Sequence, residues 1–234
     1  MGWREDALTT EYDVIGVLRT TDKMSIHRLR HRRLGKDLVR LSFEGDGAVY
    51  RYLQTVSHPH LPRVYDVWEQ DGRCIVLEEF VDGLTVAQVL ESGTYTVQGV
   101  RRVIGAVCDA VGALHTAGLV HRDIKPENVM ITTDGRVVLM DFDTVRVHKP
   151  CAARDTVVIG TAGYAAPEQF GVAQTDHRTD IFSIGIMINV MLTGAHPANR
   201  KTRGRMARVV ERCTQLDPDR RYATVWDLKR ALSN

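Results

Sequence analysis

The stretch His121-Arg122-Asp123-Ile124-Lys125-Pro126-Glu127-Asn128 concentrates an acid, an amine and a carboxamide within a few residues, and its reading decides the fold. Taken alone, Asp123 could be no more than a turn or helix-cap carboxylate. It is followed, after a hairpin-like stretch with a turn at Asp134-Gly135, by Asp141-Phe142-Asp143. Then comes Gly160-Thr161-Ala162-Gly163-Tyr164-Ala165-Ala166-Pro167-Glu168. No one of these strings would suffice; their order along the chain carries the weight.

Upstream of this block the pattern is that of strands. Asp13-Val14-Ile15-Gly16-Val17-Leu18 and Lys36-Asp37-Leu38-Val39-Arg40-Leu41 alternate with period two, with Leu34-Gly35-Lys36 as the turn before the second. Arg63 to Trp68 and Cys74 to Leu77 flank Gln70-Asp71-Gly72, a hairpin signal. One short helix, Ala48 to about Val56, is expected between them. After Asp82-Gly83 the period changes to that of helices. Val97, Val100, Val103, Ile104, Val107, Val111 and Leu114 form an amphipathic stripe, and Ile181 to Leu192 is apolar nearly all round, as a buried helix is. Thr224 with Asp227 reads as a capping box opening a last helix. Strands first and helices later give an α+β chain: a small β-rich lobe over residues 1–81 and a larger α-helical lobe over 82–234.

The bulk numbers narrow the function. The 234 residues suffice for two lobes, and 44% apolar with 26% charged residues is ordinary for a soluble globular protein. A formal charge of +2 argues against a dedicated nucleic-acid partner. Cys74, Cys108, Cys151 and Cys213 form no CxxC pair and read as reduced thiols of a cytoplasmic protein. The charged start Met1-Gly2-Trp3-Arg4-Glu5-Asp6 shows no signal-peptide apolar region, and no apolar run is long enough to span a bilayer. A membrane anchor or further domains would have to lie on a longer parent chain. The basic run His27-Arg28-Leu29-Arg30-His31-Arg32-Arg33 is read as a solvated hairpin edge rather than a phosphate patch.

In their order, the three strings resemble the catalytic loop, the metal-binding loop and the end of the activation segment of protein kinases. The resemblance runs from about Tyr12 to Leu232 and implies a bilobal protein-kinase fold. The Lys125-Pro126-Glu127-Asn128 form looks like the serine/threonine branch, as in bacterial kinases of that class. It implies Asp123 and Lys125 as catalytic residues, Asn128 and Asp141 as ligands of Mg2+ or Mn2+, and ATP as cofactor. Ile26, Val39, Glu79, Val81 and Glu127 would line the nucleotide site. A protein substrate and a regulatory protein partner are implied. Phosphoryl transfer needs alignment of the attacking hydroxyl and neutralisation of phosphate charge, which such residues supply. The resemblance further implies that Asp180 braces the catalytic loop, that Glu168 pairs with Arg221, and that Thr161 assists Asp123 and Lys125. Thr156 stands where an activating phosphate is placed, and a substrate-docking helix is trimmed between Pro197 and Cys213.

The first lobe departs from the family. The glycine-rich loop is replaced by Arg19-Thr20-Thr21-Asp22-Lys23-Met24-Ser25-Ile26. Leu41 stands at the lysine of the third strand, and Val49 at its helix glutamate. Losing both partners is coherent, because a lone buried charge is costly whereas two apolar groups can be neutral. Val39 and Leu41 are expected on the nucleotide-facing side with Arg40 turned away, unless a bulge reverses it; Lys23 is the other candidate cation. Asp143 replaces the glycine after Asp141-Phe142, which would stiffen that loop. Glu78 would be an acidic gatekeeper. A pseudokinase acting as a binding module is therefore the alternative to a weak or unconventional kinase.

Overall fold

The computed structural model describes residues 8–147, 161, 163–170 and 175–233, and the chain divides into two compact units at Asp82/Gly83. The first unit is one antiparallel sheet: β1 (Tyr12–Thr20), β2 (Met24–His31), β3 (Asp37–Phe43), β4 (Val64–Gln70) and β5 (Arg73–Glu79), in the order β1-β2-β3-β5-β4. The turn joining β4 and β5 has Asp71 at φ 52° and Gly72 at φ 73°. Two successive positive φ values make a type I′ turn, whose twist suits a hairpin. A two-turn helix, α1 (Ala48–Thr55), lies between β3 and β4 and buries Tyr50 and Leu53, with the Tyr50 ring 5.5 Å from Phe43.

β3 pairs with both neighbours without a register break. Leu41 sits opposite Ile26 and Val76, and Val39 opposite Arg28 and Glu78, so these six residues share one face of the sheet. Arg40, opposite His27 and Leu77, points to the other face. Period-two alternation thus holds, and no bulge brings Arg40 beside Leu41.

The basic run does not lie on an edge. β2 is an inner strand, flanked by β1 and β3, so its charges do not guard the sheet against strand addition. Arg28 and Arg30 instead converge on Asp37 at the start of β3; Arg30 Nε is 2.6 Å and Arg28 Nε 2.7 Å from its carboxylate oxygens. The hydrogen bond from Arg30, with that from Arg28, holds the Asp37 carboxyl down at about 2 against the opposing effect of burial. The edges are β1 and β4, and β1 carries exposed Val14, Ile15, Val17 and Leu18 and two register shifts against β2. Such bulges twist an edge and hinder pairing.

The second unit is helical with two small sheets. Its elements are β6 (Gly83–Thr85), α2 (Val86–Glu91), α3 (Val97–Thr116), β7 (Leu119–Val120), β8 (Val129–Thr132), β9 (Val137–Leu139), β10 (Arg146–Val147), α4 (His177–Thr193), α5 (Gly204–Cys213) and α6 (Val225–Ser233). The strands pair as β6-β8-β9 and β7-β10. Thr96 caps α3, accepting from Gly99 N–H, and the predicted stripe is buried except for Val97, which is 44% exposed. Against it packs α4, whose Ile181, Ile184, Met187, Ile188 and Met191 have no exposed surface. Each such side chain stabilises the fold by about 1.5–3 kcal/mol through removal from water. Residues 194–203 between α4 and α5 hold turns and no helix. No helix among the described residues is long and apolar enough to cross a membrane.

α3 and α6 meet closely at Gly112, where a Cβ would lie 2.2 Å from the Trp226 ring. Gly112→Ala therefore overpacks this contact and lowers stability by about 1–3 kcal/mol, read as a fall in thermal midpoint. In a Trp226→Ala background the same substitution costs little, because the colliding ring is gone.

Candidate active site

The segment from His121 to Asn128 runs from β7 to β8 and ends in a 3-10 turn, Pro126–Asn128. Its backbone is bent at Arg122, which has φ 68° although it is not glycine. A residue held there costs about 1–3 kcal/mol and persists only where its surroundings over-determine it. They do. Asp180, buried at the start of α4, accepts Arg122 N–H through Oδ1 (2.8 Å) and His121 N–H through Oδ2 (2.9 Å). His115 Nε2, at the end of α3, lies 2.7 Å from the same Oδ2. Arg122 Nε donates to Thr144 O, Thr144 Oγ1 donates to His121 O, and Gln169 Nε2 donates to Arg122 O. Burial alone would raise the Asp180 carboxyl, yet hydrogen bonding from His115 and the backbone, with the charge of His115 and His121, brings it below the usual carboxylate value.

Asp123 follows this bend and is nearly buried. Its Oδ2 accepts Lys125 Nζ at 2.7 Å and Asn128 Nδ2 at 3.1 Å, and its Oδ1 accepts Thr161 Oγ1 at 2.7 Å. Lys125 Nζ also donates to Thr161 Oγ1 at 2.6 Å. Burial pushes the Asp123 carboxyl up, and the bonds from Lys125 and Thr161 outweigh it, so the group titrates below its ordinary value. Asn128 Nδ2 donates a second bond, to Asp123 O at 2.9 Å. Both amide hydrogens are thereby spent on Asp123, which leaves Oδ1 as an acceptor. Asn128 O accepts Met140 N–H at 2.8 Å, which sets the next residue, Asp141, beside this turn. Asp141 has φ 63°, and its Oδ1 is 3.4 Å from Asp143 N.

The strain in this loop therefore sits at Asp141, while Asp143 has an ordinary negative φ. A glycine is not needed at position 143 for backbone reasons, and the expected stiffening from its replacement has no strained conformation behind it. Asp143 is exposed.

Asp123, Lys125 and Asn128 are thus brought to one turn, with Asp141 next to the residue that bonds it. The others sort differently. Glu127, on the same turn, is exposed. Ile26, Val39, Glu79 and Val81 belong to the first unit, where Ile26 and Val39 share the sheet face described above. Glu79 ends β5; its N–H donates to Arg63 O, and its Oε2 accepts Arg63 N–H. Val81 is buried, as is Glu78. Lys23 is an exposed turn residue whose carbonyl accepts from Arg73 Nη2. Thr156 lies outside the described residues.

The sequence also hid a cation. Arg28, two residues after Ile26, falls on the Val39 face, bonds Asp37, and places its guanidinium 3.9 Å from the centre of the Phe80 ring. Period two from Ile26 could have found it. Gln169 and Thr144 offered no such signal, because their partners are backbone atoms far away in sequence.

Among the described residues no group of three or more His, Cys, Asp or Glu side chains is placed to hold a metal ion. Asn128 Oδ1 and the Asp141 carboxylate nevertheless fit magnesium, which binds through one or two protein oxygens and completes its shell with water and phosphate. Leu41 is buried to 4% exposure. Leu41→Lys would bury an ammonium at this position and should lower stability, measured by urea unfolding.

Beyond the bend, Glu168 and Arg221 form a buried two-pronged ion pair, with Nη1 to Oε1 at 2.6 Å and Nη2 to Oε2 at 2.9 Å. Thr179 Oγ1 donates to Glu168 Oε1, and the remaining guanidinium hydrogens go to the carbonyls of Gln215, Arg178 and Leu216.

Comparison with known proteins agrees with this geometry. The protein kinase domain family matches residues 49–231, so the region of the altered glycine loop and lysine lies before the match. The chain is 36% identical over 145 residues to a Bifidobacterium longum protein named "Probable serine/threonine-protein kinase pknA2", covering 61% of this chain and 19% of that protein. It is 36% identical over 149 residues to serine/threonine-protein kinase PknL of Mycobacterium tuberculosis (63% and 37%) and 29% identical over 209 residues to PknB of the same species (81% and 33%). It spans only 19–37% of the length of these relatives. The bend at Arg122, the turn that gathers Asp123 to Asn128, and a match across most of the sequence lead to one assignment: this chain belongs to the protein kinase domain family.

Proposed function

We propose that the chain is a serine/threonine protein kinase, weak or unconventional, that transfers the γ-phosphoryl group of ATP to a protein hydroxyl. The observation that carries this reading is the closed set of Asp123, Lys125 and Thr161, joined by hydrogen bonds of 2.6–2.7 Å and buttressed by Asn128. A binding module without chemistry has no need to hold a low-titrating carboxylate against an ammonium and a hydroxyl in this way.

Asp123 accepts the hydrogen of the incoming serine or threonine hydroxyl and aims its lone pair. Its carboxyl titrates low, so orientation outweighs proton removal in the ground state. Lys125 carries positive charge to the place where negative charge moves, and Thr161 fixes the positions of both. Asn128 and Asp141 would hold magnesium, and bound ATP–magnesium supplies the transferable group and neutralises its oxygens. Supporting the serine/threonine preference are the Lys125-Pro126-Glu127-Asn128 string and the names of the relatives. A protein substrate and a regulatory protein partner belong to the same proposal.

One observation favours a second reading, a pseudokinase: Leu41 is apolar and buried where an ATP anchor is expected, and Arg40 points to the opposite face. The two are separated by incubating the chain with radiolabelled ATP and Mg2+ or Mn2+. Label on serine or threonine is the expected result; absence of label with either metal overturns the kinase reading. Under the kinase reading ATP–Mg2+ also raises the melting temperature, by the equivalent of about 2.7 kcal/mol at one hundred times Kd.

A further inference from the structure

A hollow of about 270 Å³ lies in the second unit behind the catalytic turn, between the end of α3 and the start of α6. Its walls include His115, Thr116, His177, Thr224, Val225 and Trp226. None of these has been assigned a ligand above. We propose that this hollow binds a small planar aromatic molecule bearing N–H or O–H donors, and that its occupancy reaches the catalytic turn through His115 and Asp180.

The shape argues for a ring. The Trp226 indole is pressed against α3 at Gly112, which leaves an aromatic wall fixed in place. The His115 and His177 rings stand 5.8 Å apart at 70°, an edge-to-face pair that a third ring can extend.

The hydrogen-bond inventory decides which ring. His177 Nε2 is 2.8 Å from Ala223 O. A carbonyl only accepts, so Nε2 carries the hydrogen, and in the neutral ring Nδ1 is an acceptor. His115 is engaged through Nε2 with the Asp180 carboxylate. Thr116 Oγ1 donates its hydrogen to Gly112 O at 2.8 Å, and Thr224 Oγ1 donates to Asp227 Oδ2 at 2.7 Å. His177 Nδ1 and Thr116 Oγ1 thus keep lone pairs for a guest, and Thr224 Oγ1, which also accepts Asp227 N–H at 3.2 Å, keeps one. The Asp227 carboxylate, held on the first turn of α6 by Thr224, further disfavours an anion. A donor-bearing, uncharged aromatic ring is the complementary chemistry.

The connection to the turn is short. His115 shares Asp180 Oδ2 with His121 N–H, and Asp180 Oδ1 holds Arg122 N–H at the strained bend. Displacing the His115 ring therefore alters the anchor of the residue before Asp123. That this influences phosphoryl transfer rests on the function proposed above; the binding itself does not.

The test uses the whole chain at pH 8 with benzimidazole as the probe, followed by 15N NMR of the Trp226 indole N–H and the backbone amides of His121 and Arg122. Saturable shifts at Trp226 are expected, with Kd on the order of 1 mM for so small a ligand. The His121 and Arg122 amides move with the same midpoint. 1-Methylbenzimidazole, which lacks the N–H donor, binds about five- to tenfold more weakly, and benzimidazole, with its single N–H, loses as much in one of the two variants His177→Phe and Thr116→Val, which keep the volume but remove an acceptor. No saturable shift at Trp226 up to about ten times the expected Kd overturns the site. Equal binding of the methylated probe to the unaltered chain overturns the donor assignment, whatever the variants do. Shifts at Trp226 with stationary His121 and Arg122 amides overturn the connection to the turn. Binding without any transfer activity would leave the site standing and tell only against the kinase reading.

Discussion

Arg221→Met lowers the free energy of unfolding by about 3–5 kcal/mol, the largest stability loss expected of any single substitution at a site described above. The reason is not the loss of Coulomb attraction alone. Glu168 is 4% exposed, and with its partner gone a carboxylate stays in the interior with Thr179 Oγ1 as its one donor among the described residues. The chain must either bury that charge or protonate it. The double variant Glu168→Gln/Arg221→Met should recover a large part of the loss, because a neutral amide costs far less to bury than a lone carboxylate. Urea unfolding of the parent, both single variants and the double variant gives the coupling directly. Additive losses, with the double variant no better than the sum of the singles, would show that the pair is not a unit. Against a total stability of about 5–15 kcal/mol, a single loss of this size is enough to depopulate the folded state on warming.

The same pair illustrates what sequence could supply. Glu168 and Arg221 are 53 residues apart, and only the resemblance, carried by short strings, linked them; the structure joins them in the expected way. The gathering of Asp123, Lys125 and Asn128 was legible because it is local: they lie within six positions and meet by the geometry of one turn. The hairpin at Asp71-Gly72 was legible for the same reason. Strand order was not. β3 pairs with β5 across an intervening helix and strand, so nothing in the run from His27 to Arg33 reveals that β2 has a neighbour on each side. Asp37 as the acid that meets Arg28 and Arg30 follows only from that register. Likewise the backbone strain in the second loop falls on Asp141 rather than at the position where glycine was missing, because φ is set by the bond network around Asn128 and Met140, not by residue type alone. Gln169, which holds the Arg122 carbonyl, has a backbone partner 47 residues away and leaves no trace in sequence.

Asp123→Asn should abolish measurable transfer of label, a loss of about 10²–10⁴ in rate, while leaving the turn folded. Asparagine keeps an oxygen for Lys125 or Thr161 but cannot satisfy both as the carboxylate does, and it cannot accept the proton of an attacking hydroxyl. Thr161→Val removes one hydrogen bond from each partner and is expected to reduce the rate only about five- to tenfold. The pH dependence separates the two roles. The folded Asp123 carboxyl titrates below its unfolded value of about 3.9. Its contribution to stability is therefore complete above that value and is lost as pH falls through the lower, folded one. The stability gap between the parent and Asp123→Asn should accordingly narrow on acidification below about pH 4 and stay constant from about pH 5 to 8. The activity of the parent should show no acid limb near pH 6 from this residue. A limb there whose midpoint rises further in Thr161→Val, which keeps measurable activity, would mean that the carboxyl is raised rather than lowered, and that Lys125 and Thr161 do not hold it as the 2.7 Å contacts require.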